Sequence, residues 1–166
     1  MISPKLLAAL NDQINAELSS AYVYLAMSAH FEATNLQGSA AWMRKQSREE
    51  VAHAMKIFDY VVDRDGRVTL KSIPQPQVQF ASTLEVWETA LTQEQGVSAR
   101  IHALYTMALE EKDYPTQAML QWFITEQVEE EKTAKSILDQ VKMIGPASSA
   151  IYFIDRHLGK EAEKGE

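Results

Sequence analysis

The chain of 166 residues contains no cysteine. That removes thiolate nucleophiles, CxxC redox pairs and cysteine zinc sites together, and leaves only oxygen and imidazole donors for any metal. A disulfide-stapled secreted fold is excluded as well. None is needed, because a chain of this length buries roughly 70 % of the surface it exposes when unfolded. Six glycines and five prolines are too few for a linker-rich or all-β chain, so helix is favoured. Basic residues are in the minority, 16 against 23 acidic, for a formal net charge of −7. Phosphate binding needs clustered Lys and Arg, so a broad nucleic-acid surface is not expected and cations are the more natural partners. No apolar run approaches the ~18 residues of a membrane span. The five apolar residues 6–10 that follow Lys5 are too few for the core of a signal peptide, and the expected address is the cytoplasm.

What the chain does have is helical periodicity. Leu7, Leu10, Ile14, Glu17, Ala21, Tyr24, Ser28 and Phe31 form one stripe, with Ser3 and Pro4 as its start signal, which predicts a helix over 4–34. Met43, Gln46, Glu50, His53, Ile57 and Tyr60 carry a second over 37–64, closed by Asp65-Gly66. From 67 to 81 the period lapses around Pro74 and Pro76, so this stretch reads as an extended crossover. Ser82 or Thr83 then caps a helix over 83–112, with Leu84, Trp87, Leu91, Glu94, Ser98, Ile101, Tyr105 and Ala108 in its stripe. A fourth, over 115–143, carries Leu120, Phe123, Gln127, Glu130, Ala134, Ile137 and Val141 and closes at Gly145-Pro146. A short fifth helix is expected over 147–158, with a solvated tail over 159–166. Short, long and short links between four long helices describe an all-α fold, a four-helix bundle with one long crossover, here read as a single domain over 1–166.

Each long stripe has polar groups where apolar ones belong: Glu17, then Glu50 and His53, then Glu94, then Gln127 and Glu130. An offset of 77 residues carries Glu17 to Glu94, Glu50 to Gln127 and His53 to Glu130, a sign of approximate two-fold arrangement that sets the six groups at one level. Residues at i and i+3 share a helix face, so Glu50-x-x-His53 and Gln127-x-x-Glu130 each present two donors to one point. Four carboxylates in a low-dielectric seam are costly and mutually repulsive unless something positive lies between them. Mixed oxygen and imidazole donors without thiolate favour iron or manganese, with zinc a further option, and a pair of divalent cations balances four carboxylates. A Glu from each of two helices plus Glu-x-x-His from the other two is the ferritin-like di-iron pattern; this chain has one half of it and replaces the other with Gln-x-x-Glu.

The segments Asn15-Ala-Glu17, Ser20-Ala-Tyr22-Val-Tyr24, Glu49-Glu50-Val-Ala-His53-Ala-Met55 and Glu126-Gln127-Val-Glu129-Glu130-Glu131 together resemble bacterial or archaeal non-haem ferritins, over essentially the whole chain. The resemblance implies a ferroxidase centre in which Glu17, Glu50 and His53 hold a first iron. Glu50 would bridge to a second, held by Glu94 and Glu130, with Gln127 beside it. It implies a third iron site at Glu49, Glu126 and Glu129, sharing Glu130, and places Tyr24 and Trp122 close to the centre. It further implies a homo-oligomeric shell of 24 subunits that oxidises Fe(II) with dioxygen or hydrogen peroxide and stores a ferric mineral. Val51 stands where haem-binding relatives carry a ligand methionine, and Met55 does not match that position, so no haem is expected. In the family the fifth helix lines a four-fold channel, and Ile151, Ile154 and Leu158 are read as serving assembly. His30, His102 and His157 have no partner at ligand spacing and read as structural or surface residues. Glu129-Glu130-Glu131 resembles a solvated charge run, except that Glu130 falls on the seam. The main alternative is a di-iron enzyme of a rubrerythrin-like or oxygenase type acting on peroxide or an organic substrate; a rubrerythrin would add a cysteine-ligated iron domain, and zero cysteines exclude that module. A DNA-protecting mini-ferritin would place its metals between subunits and lack a fifth helix.

Overall fold

The computed structural model of the chain describes residues 1–145 and 149–164. Five helices follow one another: α1 (Pro4–Ala33), α2 (Gln37–Asp63), α3 (Thr83–Glu110), α4 (Tyr114–Ile144) and α5 (Ile151–Glu163). No strand occurs among the described residues. The ends follow local chemistry. The Ser3 hydroxyl accepts from Leu6 N with Pro4 in the first turn; Ser82 accepts from Glu85 N, and Asp113 from Thr116 N. Asn35, Asp65 and Lys112, with φ of 59°, 58° and 55°, supply the left-handed residues just beyond the first three helices.

Three-residue links make α1–α2 and α3–α4 antiparallel hairpins, and α1 and α3 pack the two hairpins together. The crossover from α2 to α3 lies along α1, held by two asparagines. Asn11 donates to Arg67 O and accepts from Thr69 N, while Asn15 donates to Thr69 O and accepts from Lys71 N, at 2.7–3.0 Å. These amides satisfy backbone groups that an extended segment without a neighbouring strand leaves open.

The bundle interior holds two apolar clusters. One is aromatic, with Tyr24, Phe31, Trp42 and Trp87 among Met27, Met43 and Leu138. The other is aliphatic, with Leu6, Leu10, Ile14, Ile57, Ile101 and Leu120. Glu17, Glu50, His53, Glu94 and Gln127 are buried and belong to neither, which places a polar layer inside the bundle.

The fifth helix departs from expectation. It continues to Glu163, through the segment read as a solvated tail, and Ala162 is buried; the expected start at 147 lies outside the described residues. Gly159, read as its end, instead permits a close approach to Gly38 of α2, where a Cβ on Gly38 would lie 1.9 Å from Asp155 O. Asp155 supplies from α5 the N-cap that Leu36 cannot give α2. Its carboxylate accepts from Gly38 N at 3.1 Å, Ser39 N at 2.7 Å and Ser39 Oγ at 2.8 Å. Ile154 and Leu158, expected to serve assembly, are buried in the bundle's own aromatic cluster, with Ile151 half-buried against it. The apolar residues that α5 exposes are Tyr152 and Phe153.

Candidate metal centre

Helical spacing brings Glu50 and His53 onto one face of α2, opposite Glu17 of α1. Ligand atoms of these three buried residues lie within 4.8 Å of one another. A second group, His53, Glu126 and Glu130, meets the same criterion and shares the histidine. In the first group Glu17 Oε2, Glu50 Oε2 and His53 Nδ1 are all buried and have no hydrogen-bond partner. Buried polar atoms are nearly always satisfied, so three unpartnered atoms on the residues of one such group, with His53 Nδ1 3.6 Å from Glu50 Oε2, describe a place shaped for a cation. Gln13 donates to Glu17 Oε1 at 2.8 Å and Gln46 to Glu130 Oε2 at 3.0 Å, fixing two carboxylates through the oxygens that each glutamine engages.

Glu94 joins neither three-ligand group. The Tyr24 hydroxyl donates to its Oε1 and Gln127 Nε2 to its Oε2 at 3.2 Å, so both oxygens are engaged. Glu126, expected at a third site that shares Glu130, approaches both Glu130 and His53. Glu49 and Glu129 have lysine neighbours, Lys45 at 3.8 Å and Lys132 at 3.6 Å. With Glu126, Glu130 and Gln46 they line a cleft of about 630 Å³ that runs from the centre towards α5, where His157 and Glu161 complete its wall. Trp122 stands edge-on to His53 with ring centroids 5.4 Å apart, and Lys56 Nζ lies 4.3 Å from its centroid. His30 packs edge-on against Phe31 and Phe80, a structural position.

Electrostatics follow from burial. Desolvation, and then the charge of Glu50, push the Glu17 carboxyl well above its ordinary range; desolvation and then Glu94 do the same to Glu50. Glu94 is raised by burial although the Tyr24 and Gln127 donors pull the other way. Glu130 is pushed up to about 8 by burial, then by Glu94 and Glu49. Burial, then Glu94, raises the Tyr24 phenol well above the usual range, so it is a neutral donor. No lysine or arginine forms an ion pair with Glu17, Glu50, Glu94 or Glu130 among the described residues. A bound divalent cation would reverse the sign of every one of these carboxylate shifts.

Sequence reasoning missed Gln13, Gln46 and Ser98, the polar residues that hold the carboxylates or their partners. For Gln46 the signal was present, since it sits in the α2 stripe one turn before Glu50. Glu131 was read as surface, yet it accepts the Ser98 hydroxyl.

A four-helix bundle with a buried layer of carboxylates, one imidazole and orphaned donor atoms defines a bundle protein built to hold divalent cations. The sequence profile of the Ferritin-like domain matches residues 7–144. A bacterial non-heme ferritin of Bacteroides fragilis (strain 638R) is 44 % identical over 160 residues, covering 96 % of this chain and 99 % of its own. A bacterial non-heme ferritin of Staphylococcus haemolyticus (strain JCSC1435) is 40 % identical over 158 residues, 95 % of each chain. A crystal structure of an open pore ferritin from the hyperthermophilic archaeon Archaeoglobus fulgidus superposes with a TM-score of 0.94 at 45 % identity, covering 96 % of this chain and 98 % of that one. The chain belongs to the ferritin family, of the bacterial and archaeal non-haem type.

Proposed function

We propose that this ferritin takes Fe(II) as its substrate at the buried layer, oxidises it there, and delivers Fe(III) to a mineral store inside a shell of 24 copies. The observation that carries the reading is the convergence of Glu17, Glu50 and His53, each of which also holds a buried polar atom without a hydrogen-bond partner. Glu17, Glu50 and His53 bind a first Fe(II). Glu130, with Glu126 near it and Glu94 once it gives up its bond to Tyr24 or Gln127, serves a second. Both metals give electrons to dioxygen or hydrogen peroxide, and the redox chemistry is theirs. The protein supplies charge and geometry. Burial raises the affinity of Glu17 and Glu130 for protons, and a cation displaces whatever protons they hold, so uptake is coupled to proton loss. Tyr24 stays a neutral donor beside Glu94, and Trp122 shields His53 on one side.

Glu49, Glu126 and Glu129 form a third, weaker site on the way out, in the cleft that leads from Glu130. Lysine neighbours at Glu49 and Glu129 must give way before a metal can bind, which suits transit more than retention. The helix that exposes Tyr152 and Phe153 offers apolar surface to neighbouring copies of the shell. The reading includes a cytoplasmic setting and neither haem nor nucleic acid as a partner; no described helix is long and apolar enough to cross a membrane. Anaerobic titration of the metal-free protein with Co(II), followed by its visible bands and by released protons, tests the site. Two ions per chain with net proton release are expected. A single ion, or none, would overturn the di-iron assignment.

A further inference from the structure

The Gln127 amide turns its NH₂ group to Glu94, and a network reaching the side of the bundle helps to hold it there. The Ser98 hydroxyl donates its single proton to Glu131 Oε1. Ser98 Oγ then has only lone pairs for its other neighbour, Gln127, whose Nε2 lies 3.4 Å away. An amide oxygen in that place would set acceptor against acceptor. The NH₂ group is therefore the side turned towards Ser98, and its two protons are shared among Ser98 Oγ, Glu94 O and Glu94 Oε2, the last two at 3.2 Å. Ser98 and Gln127 are 5 % and 3 % exposed, so water offers little substitute. From the other side Tyr24 holds Glu94 Oε1.

We propose, on the reading that this layer binds two Fe(II), that Ser98 and Glu131 are positioning residues which lock Gln127 as a donor to Glu94. In this arrangement Gln127 does not ligate the second metal. It presents Glu94 as a pre-aimed carboxylate, held until a cation draws it away. Without the lock the amide loses one of the three acceptors that fix it, its hold on Glu94 loosens, and the second site loses its prepared ligand. The first site, built from Glu17, Glu50 and His53, contains none of these residues.

The test is an anaerobic Co(II) titration of the assembled protein that resolves the two binding steps, with Ser98→Ala, Glu131→Ala and Glu131→Gln beside the wild type. Outer partners of metal ligands are typically worth roughly 10–100-fold in affinity, so Ser98→Ala and Glu131→Ala are expected to weaken the second step by about tenfold while the first changes less than about twofold. Glu131→Gln, which keeps an acceptor oxygen for Ser98, is expected to recover the second step. Wild-type behaviour of Ser98→Ala overturns the proposal, as does equal loss of both steps, which would mark a general structural role. Failure of Glu131→Gln to recover affinity also overturns it, since charge and not the acceptor would then be what matters. If the wild type itself shows no second step, it is the two-metal reading that fails.

Discussion

Two buried or half-buried carboxylate sites in this molecule have opposite electrostatics. At the far end of the bundle Asp113 meets the Arg64 guanidinium in two hydrogen bonds of 3.0 Å, caps α4 through Thr116 N, and has its carboxyl pulled down to about 2, chiefly by Arg64. In the middle layer Glu130 is pushed up to about 8 and Glu17 and Glu50 are raised well above their usual range, because burial removes water and the nearest charges are other carboxylates. The first site carries its own cation. The second lacks one and leaves three ligand atoms unbonded. A fold that wanted only stability would have filled the layer as it filled the Asp113 corner, so the deficit belongs to function.

The largest effect expected from this contrast is on chemistry. Glu130→Ala removes a carboxylate from the deficient layer, and initial Fe(II) oxidation should fall by on the order of 100-fold while the assembled particle persists. Stopped-flow absorbance with size exclusion on the same sample checks it, and an unchanged initial rate would sink the role given to Glu130. At the satisfied corner the same kind of truncation should act on stability. Asp113→Ala strands Arg64 and removes a cap, and is expected to cost about 2 kcal/mol in denaturant unfolding with little change in oxidation rate.

The two sites should also respond to pH with opposite sign. Glu130 has a raised folded pKa, so its contribution is fully present below the unfolded value of 4.5 and is lost as pH rises through about 8. Asp113 has a depressed one, so its contribution is present above 3.8 and is lost as pH falls through about 2. Metal-free protein should accordingly lose thermal stability between pH 6 and 8, and saturating Co(II) should flatten that slope. A metal-free midpoint that rises over this range contradicts the account. The smallest effect is expected in the cleft. Glu129 is exposed and has a lysine beside it, so Glu129→Ala should leave the first oxidation unchanged and slow only later turnovers, by a few-fold in repeated Fe(II) additions.

Much of this was legible in the chain. Glu17, Glu50, His53, Glu94, Gln127 and Glu130 interrupt apolar stripes at helical spacing, and that pattern alone sets them at one level of a bundle. What it could not show is where each side chain turns once the helices meet. Glu94 is drawn to Tyr24, 70 positions away, and Glu130 is held by Gln46, 84 positions away. Tyr24 and Gln46 stand in their stripes, so their depth is legible, but which carboxylate each one meets depends on the rotation of packed helices. The end of α5 was misread for a related reason. Gly159 interrupts the apolar pattern and looks like a stop, but its purpose is contact with Gly38 in a distant helix. Glu131 shows the same limit, since only the position of Ser98 on α3 distinguishes it from the solvated charges beside it.

The central claim is that the uncompensated layer exists to admit Fe(II) and pass it to a store. Metal-free protein loaded anaerobically with excess Fe(II), exposed to air and run on size exclusion with iron and protein followed in each fraction tests this most directly. The account predicts iron far in excess of the roughly two ions per chain that a two-metal site holds, eluting with a particle of several hundred kilodaltons. Iron that stops at about two per chain on a small oligomer would contradict it and leave a di-iron enzyme in place of a store.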